Sequence, residues 1–190
     1  GFVWDDVWLI VRNANIQNLS RLPHALTSGF WDISDQRIAT GGWQYYRPVI
    51  TLVYAAAWRL FGEAPAGYHA LNLAAHLGCV ALASLWLARR FGRDVFEGPR
   101  APAAAIALTL FAVHASRAES VAWIAGCTDV WMTLWMLAAH ALWTRGSRAA
   151  ACVAGALACF SKEGAFALPV LMAADVVLGA GEADERPVKE

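Results

Sequence analysis

Five stretches of the chain are nearly free of charged side chains. They are Tyr68–Ala88, Ala101–Ser116, Ser120–Thr144 with the single charge of Asp129, Ala149–Ser161 and Gly164–Ala174. A helix needs about 20 apolar residues to cross the hydrocarbon core of a bilayer, and the first stretch has 21 residues. The last two are shorter, and each suits a short span or half of a re-entrant hairpin. Because five such stretches follow one another, the pattern predicts helices that cross a membrane several times.

The overall composition agrees with this pattern. Hydrophobic residues make up 58% of the 190 residues and charged residues only 16%, against about 25% in soluble domains. The 10 Trp residues suit the membrane–water interface, where amphipathic aromatic rings collect. Acidic and basic residues balance at 15 each, so no basic surface is predicted for nucleic acid. We therefore expect the lipid bilayer as a partner, and no nucleic acid.

Two short arginine-rich loops predict the direction of the helices. They comprise residues 89–93 and 145–148, and short basic loops tend to stay on the cytoplasmic side of a membrane. This assignment places the loop His114–Asp129 and the turn Ser161–Gly164 on the extracytoplasmic side. The apolar stretch Pro48–Phe61 has only 14 residues and contains an arginine, which favours an interfacial helix over a span. If it did cross, the direction of every later helix would be inverted.

These features define the predicted organisation of the chain. Residues 1–67 form an extracytoplasmic loop with interfacial helices, including an amphipathic helix over the polar stretch Arg12–Ser20. Residues 68–178 form about five transmembrane segments, and residues 179–190 form a polar tail. The predicted fold is therefore an all-α polytopic transmembrane helical bundle with extracytoplasmic juxtamembrane helices. Since the chain opens on the apolar Gly1–Trp4 without a start methionine, we expect a fragment that lacks a preceding span.

Two adjacent carboxylates, Asp5 and Asp6, follow the apolar start of the chain. Their mutual repulsion raises the pKa of one of them, which suits a general base near neutral pH. Carboxylate oxygens also bind divalent cations, so a divalent metal cofactor is an alternative. A pair of residues that caps a helix just outside the membrane is the purely structural alternative.

The other ionisable residues predicted on the same face lie in three places along the chain. They are Arg47, the loop residues His114, Glu119 and Asp129, and the adjacent pair Lys162 and Glu163. A guanidinium at the start of a helix or an ammonium in a turn is well placed to bind phosphate. Snorkelling of the arginine to the interface, a solvated loop and a bare charged turn are the respective alternatives.

A polar stripe of His69, Asn72 and His76 recurs at the spacing of one helix face. Hydrogen bonds between helices explain such a stripe in a membrane protein. A transporter or channel is the alternative function, with His140 added to the stripe as a polar path. A transporter places its charges near the membrane midplane, whereas here they concentrate at one face. A non-catalytic membrane scaffold is a third interpretation.

Several short motifs occur in a fixed order along the chain. They are Trp4-Asp5-Asp6, Tyr46-Arg47-Pro48, Phe61-Gly62 with Tyr68-His69, the segment from His114 through Glu119 and Gly126 to Asp129, and Ser161-Lys162-Glu163. In this order they resemble the transmembrane and tetratricopeptide-repeat O-mannosyltransferase-like proteins and their bacterial relatives, which belong to the GT-C superfamily of membrane glycosyltransferases. The chain departs from that family at Ala115 and Cys127, where Pro and Arg are common, and it carries no tetratricopeptide repeats.

The resemblance implies a GT-C-like enzyme that moves a sugar, mannose in the family's name, from a polyprenyl-phosphate donor to a protein hydroxyl or glycan acceptor. The residues it implies as catalytic are Asp5, Asp6, His114 and Glu119, and those implied at the substrate and its phosphate are Arg47, Asp129, Lys162 and Glu163. Some members use a divalent metal and others do not. The implied location is a bacterial inner membrane or the endoplasmic reticulum membrane, with the active site on the extracytoplasmic face.

Overall fold

The computed structural model describes residues 1–33, 36–37 and 45–184, with side chains at all of these except 36–37 and 178–184. Its α-helices are α1 (Ala14–Gln17), α2 (Leu22–Ala25), α3 (Pro48–Phe61), α4 (Pro65–Phe91), α5 (Ala101–Val113), α6 (Thr128–Thr144), α7 (Arg148–Cys159) and α8 (Leu168–Asp184). Short π-helical turns cover Val7–Val11 and Ala118–Ala122, and 3-10 turns cover Arg93–Phe96, Ala125–Cys127 and Glu163–Ala167. Two residues each form β1 (Asp32–Ile33) and β2 (Gln36–Arg37), which pair antiparallel. The predicted helical class is confirmed.

Helices α4 and α6 run parallel to each other along the length of the protein. The amide of Asn72 donates to the carbonyl oxygen of Ile124 at 3.5 Å, and Arg89, near the other end of α4, donates to the carbonyl oxygen of Ala141 at 3.1 Å. Helix α5 runs back along α4, because a His76 ring nitrogen lies 2.9 Å from the carbonyl oxygen of Ala112 near the last turn of α5. The alternation follows the predicted directions of these three segments.

Helices α6, α7 and α8 continue the alternation. The turn between α6 and α7 contains Gly146 at a φ of 81°, a left-handed conformation that suits glycine. Small side chains at Ala139 and Ala154 are buried and let the two helices approach closely. Helix α8 then returns along α6, since Asp175 lies 2.9 Å from the ring of His140.

The loops of the protein therefore sort to two ends. The 124–127 turn, the start of α4 and the α7–α8 turn lie at one end, which we call the acidic end because it carries Asp5 and Asp6. The arginine-rich loops lie at the other, the arginine end. The 27 residues of α4 separate the two by about 40 Å at 1.5 Å per residue. Separation of the two arginine-rich loops from the candidate site residues follows from the fold itself.

The described residues before α4 pack into a hydrophobic cluster at the acidic end. Its buried members come from the N-terminal segment, α3, the start of α4 and the turn before α6, and they include Leu9, Ile10, Ile50, Tyr54 and Ile124. This packing fixes the N-terminal segment against both α3 and the 124–127 turn.

The stretch Arg12–Ser20 differs from the predicted amphipathic helix. Only the four residues of α1 are helical there, and Asn13 and Asn15 are buried. Asn13 accepts a hydrogen bond from the N–H of Asn15 at 3.1 Å and donates to the carbonyl oxygen of Leu9 at 3.0 Å. The amide side chains are needed inside the protein, because they satisfy backbone groups at the irregular end of the π-helical turn.

Of the helices within the described residues, α4 is long and apolar enough to cross a membrane by length and composition. Helices α3, α5 and α7 are apolar but shorter, so a bundle that crosses several times is not established by helix length. Large hydrophobic side chains nevertheless face outward on α5, α7 and α8, among them Ile106, Leu110, Val153, Val170 and Val176. In the predicted tail, residues 179–184 continue α8, and residues 185–190 lie outside the described part of the chain.

Candidate functional site

Asp6 anchors the N-terminal segment at the acidic end. Its side chain is 0% exposed, and Oδ1 accepts a hydrogen bond from the N–H of Ala125 at 2.7 Å across 119 residues. Oδ2 accepts from the N–H of Val3 at 3.0 Å. With one backbone donor on each oxygen, this carboxylate holds the chain start against the turn that precedes α6.

The pKa of Asp6 is raised above its usual value of 3.8, as predicted for one member of the pair. The main cause is burial, which disfavours the charged carboxylate, whereas the repulsion from Asp5 is a smaller contribution. The two backbone hydrogen bonds and the charge of His69 oppose the rise. The raised pKa was expected from repulsion between the two carboxylates, but burial is the larger cause.

Asp5 differs from its neighbour in both exposure and contacts. Its side chain is half-buried, and among the described residues it makes no hydrogen bond or ion pair. The preceding residue, Trp4, has a φ of 47°, an uncommon conformation for a residue other than glycine, and its ring packs edge-on against Trp123 at 6.0 Å between ring centres. The strained turn presents Asp5 outward while Asp6 turns inward.

Arg47 and Glu163 form a two-point ion pair. Arg47 precedes α3, whose first residue is Pro48, a favourable first position for a helix. Nε donates to Oε1 at 3.2 Å and Nη2 to Oε2 at 2.8 Å. The arginine side chain is 13% exposed and the glutamate 45%. Partial burial raises the pKa of Glu163, but the hydrogen bond and charge of Arg47, aided by Lys162, outweigh burial and lower it below its usual value.

Aromatic rings and the α7–α8 turn hold Arg47 in place. Its guanidinium lies 4.6 Å from the ring centre of Tyr45 and 5.5 Å from that of Phe30, distances at which a cation is attracted to a ring face. The N–H of Val49 donates to the carbonyl oxygen of Phe160 at 3.3 Å. The start of α3 is thereby docked on the end of α7.

Lys162 and Asp129 form a second ion pair beside the first. Nζ of Lys162 donates to Oδ1 of Asp129 at 2.6 Å, and the side chains are 31% and 41% exposed. Since Lys162 and Glu163 are adjacent, the α7–α8 turn is tied both to α3 and to the first turn of α6. The four residues expected at the phosphate are thus brought together as two cation–carboxylate pairs.

Tyr54 connects the acidic pair with the cations, and the sequence analysis missed it. It is buried on α3, and the thiol of Cys127 donates to its hydroxyl at 3.6 Å. Burial first, then Cys127 and the charge of Asp6, raise the pKa of Tyr54 well above its usual value, while the charge of Arg47 lowers it. Cys127 lies two residues from the Ala125 N–H that holds Asp6. The ring of Phe30 lies 6.3 Å from that of Tyr54 and 5.5 Å from the guanidinium of Arg47. Tyr54 therefore contacts residues from both halves of the site.

His114 and Glu119 are less integrated than predicted. Both are exposed, and His114 interacts through Nδ1 with its neighbour Ser116 at 3.0 Å. In the described residues Glu119 has no hydrogen-bonding partner for its side chain. Arg117, which lies between them and was not predicted as a site residue, packs over Phe111 at 5.4 Å.

The polar stripe contributes to helix packing. His76 lies against α5, and Asn72 against the turn before α6, through the contacts given above. His140 lies much farther along, at the arginine end beside Asp175. In the described part of the chain, no three His, Cys, Asp or Glu side chains come together as a metal-binding group.

The chain is similar to several curated proteins over most of its length. It is 34% identical over 81% of its residues to protein O-mannosyl-transferase TMTC1 of Homo sapiens, covering 17% of that protein. It is 32% identical over 68% of its residues to protein O-mannosyl-transferase Tmtc1 of Drosophila melanogaster, covering 14% of it. Protein O-mannosyl-transferase F38B6.6 of Caenorhabditis elegans is 30% identical over 73% of the chain, which covers 19% of that protein.

These similarities confirm the family resemblance predicted from the ordered motifs. The chain spans less than a fifth of the length of these curated relatives. No protein-family model matches it. No solved structure matches it either.

Proposed function

We propose that this chain, a homologue of the TMTC protein O-mannosyl-transferases, carries the catalytic end of a membrane glycosyltransferase of the GT-C type. The enzyme moves a sugar, mannose by analogy with the names of the relatives, from a polyprenyl-phosphate donor to a protein hydroxyl or a glycan. The acidic end faces the extracytoplasmic side of a bacterial inner membrane or of the endoplasmic reticulum membrane. The outward apolar side chains of α5, α7 and α8 support contact with lipid.

The single observation that carries the proposal is the division of labour between Asp5 and Asp6. Both oxygens of Asp6 accept backbone hydrogen bonds, so this residue positions the segment. Asp5 is half-buried, lacks a partner among the described residues, and sits on a strained turn of the kind that clusters at active sites. Its carboxylate is therefore available as the general base.

Arg47 and Lys162 have hydrogen-bond donors available for the phosphate of the sugar donor. Within the described residues, Arg47 uses Nε and Nη2 on Glu163 and keeps the N–H groups of Nη1 uncommitted. Lys162 uses one of its three donors on Asp129. Carboxylates that hold the cations in place while leaving donors free favour a preorganised anion site.

The reaction is a direct displacement. Asp5 takes the proton of the acceptor hydroxyl, whose oxygen forms a bond to the anomeric carbon as the bond from that carbon to the phosphate oxygen breaks. The bonding electrons leave with the polyprenyl phosphate, and Arg47 and Lys162 stabilise the charge that develops there. The exposed His114 and Glu119 orient the donor or the acceptor. Because the polyprenyl phosphate leaves as an anion, the displacement does not require a second carboxylate as a general acid.

The decisive experiment replaces Asp5 by Asn in the full-length protein and measures sugar transfer from a polyprenyl-phosphate sugar. Loss of a general base lowers the rate about 10²–10⁴-fold, with an unchanged thermal unfolding temperature. Glu63→Gln is the matched control, because this exposed carboxylate lies between α3 and α4. Transfer at the wild-type rate by the Asp5→Asn variant would refute the assignment.

A further inference from the structure

A polar cavity lies at the arginine end, away from the site described above. It has a volume of about 330 Å³ and opens between α4, α6 and α8. This volume falls within the range of about 300–1,000 Å³ usual for small-molecule sites. Leu82, Trp86 and Leu137 form its apolar wall. An apolar wall beside a polar one suits a ligand with a charged head and an apolar body.

The polar wall of the cavity carries two arginines and a histidine. Arg89, Arg90, His140, Thr144 and Asp175 line it. The carboxylate of Asp175 is engaged by the ring of His140 at 2.9 Å, and Nε of Arg90 lies 3.8 Å from it, within ion-pair distance. Within the described residues, the guanidinium of Arg89 has no carboxylate partner. The cavity therefore offers an anion the guanidinium of Arg89.

Arg89 has donors to offer at the mouth of this cavity. Its side chain is exposed, and Nη1 donates to the carbonyl oxygen of Ala141 at 3.1 Å and to Oγ1 of Thr144 at 3.2 Å. Its Nε and Nη2 groups have no partner within the described residues. Two anchored contacts fix the plane of the guanidinium, so the remaining N–H groups point as a preformed fork, the arrangement that binds phosphate at two points.

We propose that this cavity binds a phosphate group, with Arg89 as the principal donor. The ligand is the phosphodiester of an anionic lipid headgroup or a free phosphate, and both present the same oxygens to the guanidinium. The apolar wall of Leu82 and Trp86 accommodates the glycerol and the first methylene groups when a lipid is the source. This site is independent of the transfer reaction proposed at the acidic end.

The test follows the unfolding temperature of the delipidated full-length protein in a sugar detergent. Three probes are added at constant ionic strength: short-chain phosphatidylglycerol, inorganic phosphate, and a diacylglycerol of the same chain length that lacks phosphate. Ligands that bind the folded state raise this temperature in proportion to their occupancy. We expect stabilisation by phosphatidylglycerol and none by diacylglycerol.

Arg89→Gln removes the charge and the fork, and Arg145→Gln is the matched control, since it removes an exposed arginine at the same end outside the cavity. We expect Arg89→Gln to weaken the apparent affinity about tenfold, the effect of losing one charge-assisted hydrogen bond, and Arg145→Gln to leave it unchanged. Response to phosphatidylglycerol alone assigns a lipid headgroup, and response to inorganic phosphate as well assigns a general phosphate site. Equal stabilisation by diacylglycerol, no stabilisation by any probe, or equal effects of the two substitutions overturns the proposal.

Discussion

Arg47 and Glu163 meet through two parallel hydrogen bonds, at 3.2 and 2.8 Å, although 116 residues separate them in the chain. This pair fastens the start of α3 to the turn between α7 and α8. Lys162, the next residue, fastens the same turn to α6 through Asp129. The acidic end is thus held together by ion pairs between elements that are far apart in sequence.

The Arg47–Glu163 pair provides a measurable coupling energy. In a double-mutant cycle with Arg47→Gln and Glu163→Gln, we expect a coupling of roughly 1 kcal/mol, because the glutamate is 45% exposed and solvent screens the pair. The pKa of Glu163 is lowered from its usual value of 4.5 in the folded protein. The ion pair therefore stabilises the fold fully at pH values above 4.5, and this stabilisation is lost as the pH falls through the lowered pKa. Chemical unfolding of the four proteins at neutral and acidic pH measures both effects. A coupling that is independent of pH would contradict this origin.

Asp6 gives the opposite dependence on pH. Because the pKa of Asp6 is raised in the folded protein, folding takes up a proton between its usual value of 3.8 and the raised value. The contribution of Asp6 to stability is therefore fully present below the usual value and is lost as pH rises through the raised one. We expect the wild type to gain stability relative to Asp6→Asn on acidification, as measured by unfolding temperatures across that range. A constant difference between the two proteins at all pH values would disprove this.

Lys162 is expected to act on the leaving phosphate. Lys162→Gln removes its charge, and we expect kcat to fall about 100-fold, the usual cost of losing one donor to a developing oxyanion. Lys162→Arg keeps the charge and should restore part of the rate. Arg59→Gln, an exposed cation in the last turn of α3, serves as the control. If the glutamine and arginine variants were equally impaired, the role of the charge would be refuted.

Gly126 is required by a close backbone approach. A Cβ atom at this position would collide with the backbone carbonyl oxygen of Glu119, so the backbone would have to shift. Gly126→Ala should lower the free energy of unfolding by about 1–3 kcal/mol and slow sugar transfer, since the adjacent Ala125 N–H holds Asp6.

Gly155→Ala is the control for this substitution. Its Cβ would stand 3.5 Å from Leu168, an ordinary contact, and alanine favours a helix over glycine. We therefore expect Gly155→Ala to be neutral or stabilising in the same unfolding measurement. Equal stability of the two alanine variants would show that the approach to Glu119 is unimportant.

Much of the helical architecture could be predicted from the sequence. The charge-free stretches correspond to α4, α5, α6, α7 and α8, and their alternating directions agree with the arginine-rich loops. Hydropathy and the placement of charge are local properties, so they can be recognised in the sequence without knowledge of contacts. The prediction of an amphipathic helix over Arg12–Ser20 was wrong, because its buried amides satisfy backbone groups inside the cluster rather than facing water.

The sequence by itself determined which residues are gathered at one end, through the order of apolar stretches and basic loops. Only the tertiary structure decided which of two adjacent aspartates is buried, because the Ala125 N–H that fixes Asp6 comes from a turn 119 residues away. It also decided that Arg47 and Lys162 are each paired with a carboxylate, and that the buried Tyr54 contacts Cys127 beside the turn that holds Asp6. Periodicity places a residue on an element, whereas burial and charge pairing depend on which distant elements pack against it.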